Sequence, residues 1–432
     1  MTAACYLLSA LRQRTRDTRG AHQLRCSRLH DAYASLRSPD FRRILFSYAT
    51  ATVAREAQIV VVGWQVYART GDPLTLGLIG LAEALPFIGV ALYAGHLADR
   101  ATRRTIALAG TFGILLSAIA LLLFTLGDYT AIWPIYVVIF LSGIARSFTR
   151  PAVTALSAEV IDRDIYPNAV AWRSSTWQFA AILGPALGGL AYGLIGPAGA
   201  YACVSALLVV SLLFIAAVTH RLMPVFDNAI PMSESLRAGI KFIMADPVML
   251  GAMTLDLFAV LFGGAVALLP AFAKMLSAGP EGLGMLRAAP AIGSILIGLW
   301  IAHRPPMRRA GVTLFVVVAI FGLLMISFAL SRNFWLSFGI LIASGMADNV
   351  SVIIRGTLLQ TRTPSDMLGR VSSVNQIFIG ASNEIGAFES GVAARLLGVV
   401  PSVIFGGTMT LIVVGWMAMR FPVLRKLKTL SS

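Results

Sequence analysis

Long apolar runs separated by short polar segments occupy most of the chain. Each run is close to the ~20 residues that an α-helix needs to cross a hydrocarbon layer about 30 Å thick. The runs lie approximately at 44–68, 75–95, 105–126, 131–152, 170–195, 199–218, 248–273, 284–303, 311–330, 334–354, 371–397 and 401–419. Because six runs are followed by a polar interval and six more runs, the pattern predicts an all-α integral membrane protein with twelve transmembrane helices.

Short sequences recur in the two sets of runs at an offset of about 200 residues. Ser-Gly-Ile-Ala at 142–145 returns as Ser-Gly-Met-Ala at 344–347, and Arg-Ser-Ser at 173–175 resembles Arg-Val-Ser-Ser at 370–373. Parallel repeats of this kind predict two pseudo-symmetric six-helix bundles, with a substrate path near the middle of the membrane where the bundles meet.

The polar segments complete the predicted domain organisation. The domains are a disordered basic cytoplasmic tail at 1–40, a first bundle at 41–218, a cytoplasmic connector at 219–247, a second bundle at 248–420 and a basic cytoplasmic tail at 421–432. Within the connector, Leu236, Ile240 and Ile243 fall on one helical face. This spacing predicts an amphipathic helix that lies on the membrane surface.

Composition supports a membrane protein and excludes several other classes. Of the 432 residues, 57% are hydrophobic and 13% are charged, whereas a soluble domain has ~45–50% apolar and ~25% charged residues. The net charge of +15 does not indicate a nucleic-acid partner, because the basic residues are scattered among short loops. Scattered cysteines and histidines predict no metal site, and the sequence has no phosphate-binding loop. We therefore expect no enzyme activity and no cofactor.

The distribution of Lys and Arg predicts the orientation in the membrane. Of the 35 such residues, nearly all fall in segments on the side of the two termini. Those predicted on the other side are Arg69, Lys274, Arg332 and Arg395. Because basic loops stay in the cytoplasm, both termini are expected to be cytoplasmic, in a multi-pass protein of a bacterial inner membrane.

The loop after the second run combines glycine, aspartate and arginines. It resembles the loop between helices 2 and 3 of the major facilitator superfamily, a superfamily of membrane transporters. The resemblance implies a cytoplasmic gate, to which Arg146 and Asp348 near the predicted ends of helices 4 and 10 are added. The gate residues are then Gly95, Asp99, Arg100, Arg103, Arg104, Arg146 and Asp348. The alternative is that the arginines serve topology alone.

Helix 5 carries a group of small residues around a proline, namely Gly184, Pro185, Gly188 and Gly189. Gly184 and Gly188 share a face and permit close helix contact, while the proline loosens the backbone. The group resembles the Gly-Pro motif in helix 5 of facilitator-family exporters, which favours export. Ordinary small-residue packing is the alternative.

Ionisable residues inside apolar runs are costly and usually face a cavity. A proton-coupling or cavity role is therefore predicted for Arg55, Glu56, Glu83, Asp256, Arg287, Asn383, Glu384 and Glu389. Glu384 and Glu389 rank first as proton sites, followed by Glu56. The alternative for each residue is a structural ion pair.

Five segments resemble the enterobactin-exporter-like, or transmembrane secretion effector, branch of the superfamily. They are 38–43, 63–67, 269–273, 369–371 and 383–391, and the resemblance extends over roughly residues 38–420. It implies a monomeric secondary transporter that exports a small amphiphilic molecule, siderophore-like or drug-like, by proton antiport with alternating access.

Two other functions stay open at this stage. One is import of a siderophore or nutrient by proton symport, and the other is a membrane sensor that transports nothing. The arginine that drug antiporters of the superfamily place in the middle of helix 4 is Ile139 here. Proton coupling through that position is therefore not implied.

Overall fold

A computed structural model describes residues 31–100, 102–219, 232–263, 265–304, 309–364 and 367–427. These residues form helices and no β-strand. Those of the first half are α1 (Pro39–Thr70), α2 (Pro73–Arg100), α3 (Arg103–Leu126), α4 (Trp133–Glu159) and a helical run, Tyr166–Ala216. The run breaks at Gly196, whose φ of 74° is left-handed, so α5 covers 166–195 and α6 covers 197–216.

The second half follows the same pattern after a short helix. Its described helices are α7 (Met232–Ala245), α8 (Pro247–Phe262), α9 (Leu269–Met275), α10 (Gly279–Ala302), α11 (Ala310–Leu330), α12 (Phe334–Arg362), α13 (Leu368–Leu397), α14 (Val399–Arg420) and α15 (Pro422–Arg425). The short helix α7 packs on the start of α13. We call the end of the molecule where α1 begins and α14 ends the terminal end.

Seven helical segments within the described ranges are long and apolar enough to cross a membrane. One of them is the 51-residue run that contains α5 and α6, and another joins α8 and α9. Some of the other helices carry charged and amide side chains; α13, for example, carries Asn383, Glu384 and Glu389. The prediction of an all-α membrane fold is confirmed, while the number of twelve spans stays a prediction.

The start of α1 differs from the prediction of a disordered tail at 1–40. Ser38 caps α1 by accepting a hydrogen bond from the backbone N–H of Phe41. Asn168 and Trp172 of α5 both donate to the carbonyl oxygen of Ala32, at 2.8 and 2.9 Å. The segment between residue 31 and α1 is therefore docked on α5, and residues 1–30 lie outside the described residues.

Glycines bring the two halves together at the end opposite the termini. A Cβ atom on Gly391 of α13 would lie 2.6 Å from the Cα atom of Gly77 in α2. The other contact is between α5 and α10, where a Cβ atom on Gly284 would overlap the carbonyl oxygen of Pro185. An ion pair between Arg395 and Asp72 also joins the halves at this end. In this structure the halves are therefore closely packed away from the termini.

Replacement of Gly391 by alanine is expected to destabilise the folded protein by about 1–3 kcal/mol, because the new methyl group meets backbone atoms that cannot move independently. The matched control is Gly339→Ala in α12, where a Cβ atom meets nothing within 4 Å. Alanine is favoured over glycine inside a helix by roughly 0.5–1 kcal/mol, so the control should be neutral or stabilising. Thermal unfolding in detergent measures both; equal shifts in the two variants would contradict the close contact.

Candidate functional site

Three charged side chains of the first half form a triad between α1, α2 and α4. The Glu83 carboxylate in α2 accepts from Arg146 at 2.7 Å and from Arg55 at 2.9 Å. A second guanidinium nitrogen of Arg55 lies 3.2 Å from the Glu56 carboxylate. Two arginines and two carboxylates of the first half thus neutralise one another.

The local sequence explains why α2 and α4 come close enough for this triad. A Cβ atom on Gly143 of α4 would lie 2.6 Å from Cγ of Pro86 in α2. Glu83 lies one turn before that proline and Arg146 one turn after that glycine, so both project from the contact point. The small residue therefore positions the ion pair.

Two charged side chains of the second half face the triad. A Cβ atom on Gly80 of α2 would lie 3.7 Å from a carboxylate oxygen of Glu384 in α13. Glu384 and Arg287 of α10 both interact electrostatically with Glu83. We call the six residues Arg55, Glu56, Glu83, Arg146, Arg287 and Glu384 the central cluster.

Within the described ranges, Glu384 and Arg287 have no ion pair or side-chain hydrogen bond of the kind that holds the triad. Among the described residues, the buried Nε atoms of Arg287 and of Arg55 both lack a hydrogen-bond partner. The ion pairs of the central cluster therefore join residues of the first half, whereas Glu384 and Arg287 of the second half form none among the described residues.

A separate charged group lies in the second half. Asp256 of α8 forms an ion pair with Arg355 of α12, whose Nε atom also lies 3.2 Å from the hydroxyl of Ser351. Asp348 lies two turns before Arg355 on the same helix and interacts with it electrostatically. The sequence predicted a cavity role for Asp256 but placed Arg355 in a loop, one residue beyond the apolar run. The structure corrects this, because α12 continues to Arg362.

The proposed gate is only partly brought together. Arg146 and Asp348 were expected near the terminal end, but both lie in the middle of helices that extend beyond their apolar runs, to Glu159 and Arg362. Arg146 belongs to the central cluster instead. The structure describes the backbone at Gly95, Asp99 and Arg100 as helical but does not describe their side-chain surroundings.

The two remaining gate residues contact other elements of the first half. Arg103 pairs with Glu159 at the end of α4, at 2.7 Å. Arg104 donates to the carbonyl oxygen of Ala216 at 2.6 Å. Both contacts tie the start of α3 to neighbouring helix ends.

The polar residues of α13 point in different directions. The side chain of Asn383 donates to the carbonyl oxygen of Ile379, one turn earlier. Glu389 accepts a long hydrogen bond, 3.5 Å, from its neighbour Ser390. Of the two carboxylates ranked first from the sequence, the structure therefore brings only Glu384 to the central cluster.

The small residues of α5 contact two helices. A Cβ atom on Gly184 would lie 2.5 Å from Cβ of Glu56, and one on Gly188 would lie 2.7 Å from the Cα atom of Ala57. A Cβ atom on Gly189 would instead overlap the backbone of Pro280 at the start of α10. The glycine face thus packs α5 against α1 next to the central cluster, and Pro185 lies within the same turn; an exporter role for these residues stays a prediction.

An ion pair at the terminal end provides a pH-dependent contact between Asp246, which precedes the apolar segment of α8, and Arg362, the last residue of α12. Asp246 caps α8 and accepts from Nε of Arg362 at 2.7 Å. Burial alone would raise the pKa of Asp246, but hydrogen bonds from Arg362 and from the backbone N–H of Val248 outweigh it, and the pKa is lowered.

A lowered folded-state pKa means that Asp246 stabilises the fold above its unfolded value of about 3.9, and that this contribution is lost as the pH falls through the lower folded value. We expect Asp246→Asn to unfold at a lower temperature than the unmodified protein at about pH 7, with the difference shrinking toward about pH 3. Asp162→Asn, at an exposed position, is the control. A difference that does not change with pH would contradict the ion pair.

Solved structures of membrane transporters share this fold. The chain resembles the nucleoside transporter NupG with a TM-score of 0.68 at 12% identity, covering 88% of this chain and 100% of that one. A bacterial homologue of the human lysosomal transporter Spinster matches with a TM-score of 0.65 at 13% identity, over 90% and 96% of the two chains. At such low identity the likeness shows the fold alone, which is that of a major facilitator transporter.

The family model described as transmembrane secretion effector matches residues 30–431. The chain therefore belongs to this family of the major facilitator superfamily, as its sequence resemblance predicted, and is a multi-pass membrane transporter and not an enzyme. Similar curated proteins include the enterobactin exporters EntS of Shigella flexneri and of Escherichia coli O1:K1. Each is 27% identical over 387 residues, covering 87% of this chain and 90% of the relative.

Proposed function

We propose that the protein is a secondary active transporter that exports a small amphiphilic, siderophore-like molecule across the bacterial cytoplasmic membrane by proton antiport. The proposal includes twelve spans and cytoplasmic termini. It is supported by the similarity to relatives described as enterobactin exporters and by the small-residue face of α5.

The observation that carries the proposal is the position of Glu384. Its carboxylate lies at the contact between α13 and α2, beside a triad that belongs to the other half. Ionisable groups in membrane helices are rare and mark ion or proton pathways. A carboxylate that has no ion pair among the described residues, and that lies between two halves that move, can gain a proton from one side of the membrane and lose it to the other.

The packing of the halves supports alternating access. Glycine contacts close the molecule at the end opposite the termini, as at Gly77 and Gly391. These contacts are noncovalent and involve complementary surfaces. The two halves can therefore separate there as rigid bodies. If the halves separated at the end opposite the termini and closed at the terminal end, the central cluster would become accessible from the side of the membrane opposite the cytoplasm.

Everted membrane vesicles with an acidic interior test the proposal. The vesicles should accumulate enterobactin when they contain the protein, and a protonophore should abolish the accumulation. Vesicles without the protein are the control. Gradient-independent entry would contradict antiport, and accumulation in right-side-out vesicles instead would indicate an importer.

A further inference from the structure

The helix contact that positions the triad has a counterpart in the second half. Gly-Leu-Ala-Glu-Ala-Leu-Pro at 80–86 of α2 matches Gly-Met-Leu-Arg-Ala-Ala-Pro at 284–290 of α10 in its glycine, its inner alanine and its proline. Ser-Gly-Ile-Ala-Arg at 142–146 of α4 matches Ser-Gly-Met-Ala-Asp at 344–348 of α12. The helices α10 and α12 therefore repeat the helices α2 and α4.

The packing within the two helix pairs is also alike. In the first half, the glycine of α4 meets the proline of α2. In the second half, a Cβ atom on Gly345 of α12 would overlap the backbone of Pro290 in α10. The side chain of Asn349 also donates to the carbonyl oxygen of Ser294 at 2.7 Å. The matching glycine and proline thus form the helix contact in both halves.

The charged residues at this contact have opposite signs in the two halves. Glu83 of α2 corresponds to Arg287 of α10, and Arg146 of α4 corresponds to Asp348 of α12. In each half, one of the two residues lies a turn before the proline and the other lies a turn after the glycine. The second half therefore places an arginine and an aspartate where the first half places a glutamate and an arginine.

The ion pair at this contact is formed in the first half and not in the second. Glu83 and Arg146 lie 2.7 Å apart. Neither Arg287 nor Asp348 has an ion pair among the described residues. Arg287 instead interacts electrostatically with Glu83 and Glu384. In this conformation its charge is therefore compensated by the central cluster and not by Asp348.

Asp348 is left without a cation of its own in this conformation. Arg355, with which it interacts electrostatically, is already paired with Asp256. Asp348 is also exposed, although it lies in the middle of a spanning helix. An uncompensated carboxylate at this depth is costly, and a guanidinium on the neighbouring helix of the same half would remove that cost.

Movement of the halves changes which carboxylates Arg287 can reach. The helices α2 and α10 both begin at the end opposite the termini, and Glu83 and Arg287 lie within about three turns of that end. Separation of the halves at this end draws Arg287 away from Glu83, which belongs to the other half. Asp348 belongs to the same half as Arg287 and moves with it.

We propose that Arg287 pairs with Asp348 when the halves separate at the end opposite the termini, and so repeats the Glu83–Arg146 pair with the charges reversed. The inference rests on the alternating access of the proposed function and names two residues whose pairing distinguishes the two conformations. Arg287 exchanges a carboxylate of the first half for one of its own half. The open conformation then keeps its buried charges paired.

A cysteine reporter tests the proposal by measuring how often the halves open. Ala271 of α9 is fully buried and clusters with Tyr67 and Leu76 of the first half, so a cysteine there meets a water-soluble maleimide only when this contact opens. When reclosing is faster than the reaction, the reaction rate is proportional to the open population, even if that population is small. The full chain in lipid nanodiscs carries Ala271→Cys, with its three natural cysteines replaced by serine.

Asp348→Asn should slow the reaction at least about fivefold, because only the open conformation loses an ion pair. Asp348→Glu keeps a carboxylate and should react at nearly the unmodified rate. In the Arg287→Gln background, Asp348→Asn should cause no further slowing, since the partner is already absent. Ala118→Cys, which is buried inside the first half, is the control reporter for unfolding, and its reaction rate should stay the same in all variants.

Equal slowing by Asp348→Asn with and without Arg287 would overturn the proposal. An unchanged or faster reaction in Asp348→Asn would also overturn it. If Ala271→Cys reacted no faster than Ala118→Cys in the otherwise unmodified chain, alternating access itself would be refuted. Proton-driven enterobactin transport that coexists with additive effects of the two substitutions would leave the transport function standing and refute only the ion pair.

Discussion

Replacement of Glu83 by glutamine is expected to destabilise the folded protein by about 3 kcal/mol, since removal of one partner from a buried ion pair leaves an uncompensated charge. Here two guanidinium groups, those of Arg55 and Arg146, lose the carboxylate they share. Glutamine keeps the shape of the side chain, so the effect reports the charge and not a cavity. Thermal unfolding of detergent-purified protein measures it, with Glu281→Gln, at an exposed position in the first turn of α10, as the control.

A second substitution separates the ion pair from a general effect of mutating α2. Arg146→Gln added to Glu83→Gln removes one positive and one negative charge, so the net charge of the group returns to that of the unmodified protein, and Arg55 keeps Glu56 as its ion-pair partner. The double variant should therefore be more stable than Glu83→Gln alone, with a coupling free energy of about 1–3 kcal/mol. Additive losses would show that the two residues do not interact in the folded protein.

Replacement of Glu384 by glutamine is expected to reduce gradient-driven transport at least about tenfold while the protein still folds. Glu384 has no ion pair to lose among the described residues, so the stability cost should be small compared with that of Glu83→Gln. Glutamine cannot take up or release a proton, so coupling is lost. Proteoliposomes with an imposed proton gradient measure enterobactin flux, and circular dichroism with thermal unfolding measures the fold.

An exchange assay identifies the step that fails in Glu384→Gln. Substrate exchange across the membrane without a gradient requires the conformational change but no net proton movement. Glu384→Gln should retain a larger fraction of exchange than of gradient-driven flux, and Glu281→Gln should retain both. A wild-type rate of coupled flux in Glu384→Gln would eliminate it as the proton site.

The periodic apolar runs made the helices and their order predictable, because burial in lipid requires continuous apolar helix. The ends of the helices were less predictable. The run at 131–152 ends in a polar sequence, yet α4 continues to Glu159, because helix geometry persists beyond the hydrocarbon layer. Because the apolar run ends early, the sequence predicts Arg146 near the end of the helix, at the gate. The structure places it in the middle of α4.

The pairing of charges could not be read from the sequence, since it depends on how helices pack across the chain. Glu83 and Arg146 were each recognised separately, but the contact that joins them requires Gly143 to meet Pro86. One distinction was available. Glu384 and Glu389 are five residues apart, which places them about 140° apart on a helix, so both could not face the same cavity wall.

Arg355 was missed because it follows the predicted end of its apolar run by a single position. A signal existed, because Asp348 lies seven residues earlier and therefore on the same helix face. An acidic and a basic residue on one face of a membrane helix indicate an interior surface. For α12, the tenth predicted membrane helix, this rule indicates a longer helix that includes Arg355.

The single-residue turn at Gly196 has a consequence for biogenesis. With only this left-handed residue between α5 and α6, the ribosome delivers both helices to the insertion machinery with no hydrophilic linker that could pause outside the bilayer. The pair should enter the membrane as one hairpin, and reporter tags placed at this turn should block insertion, whereas tags in the segment between α3 and α4 should be tolerated.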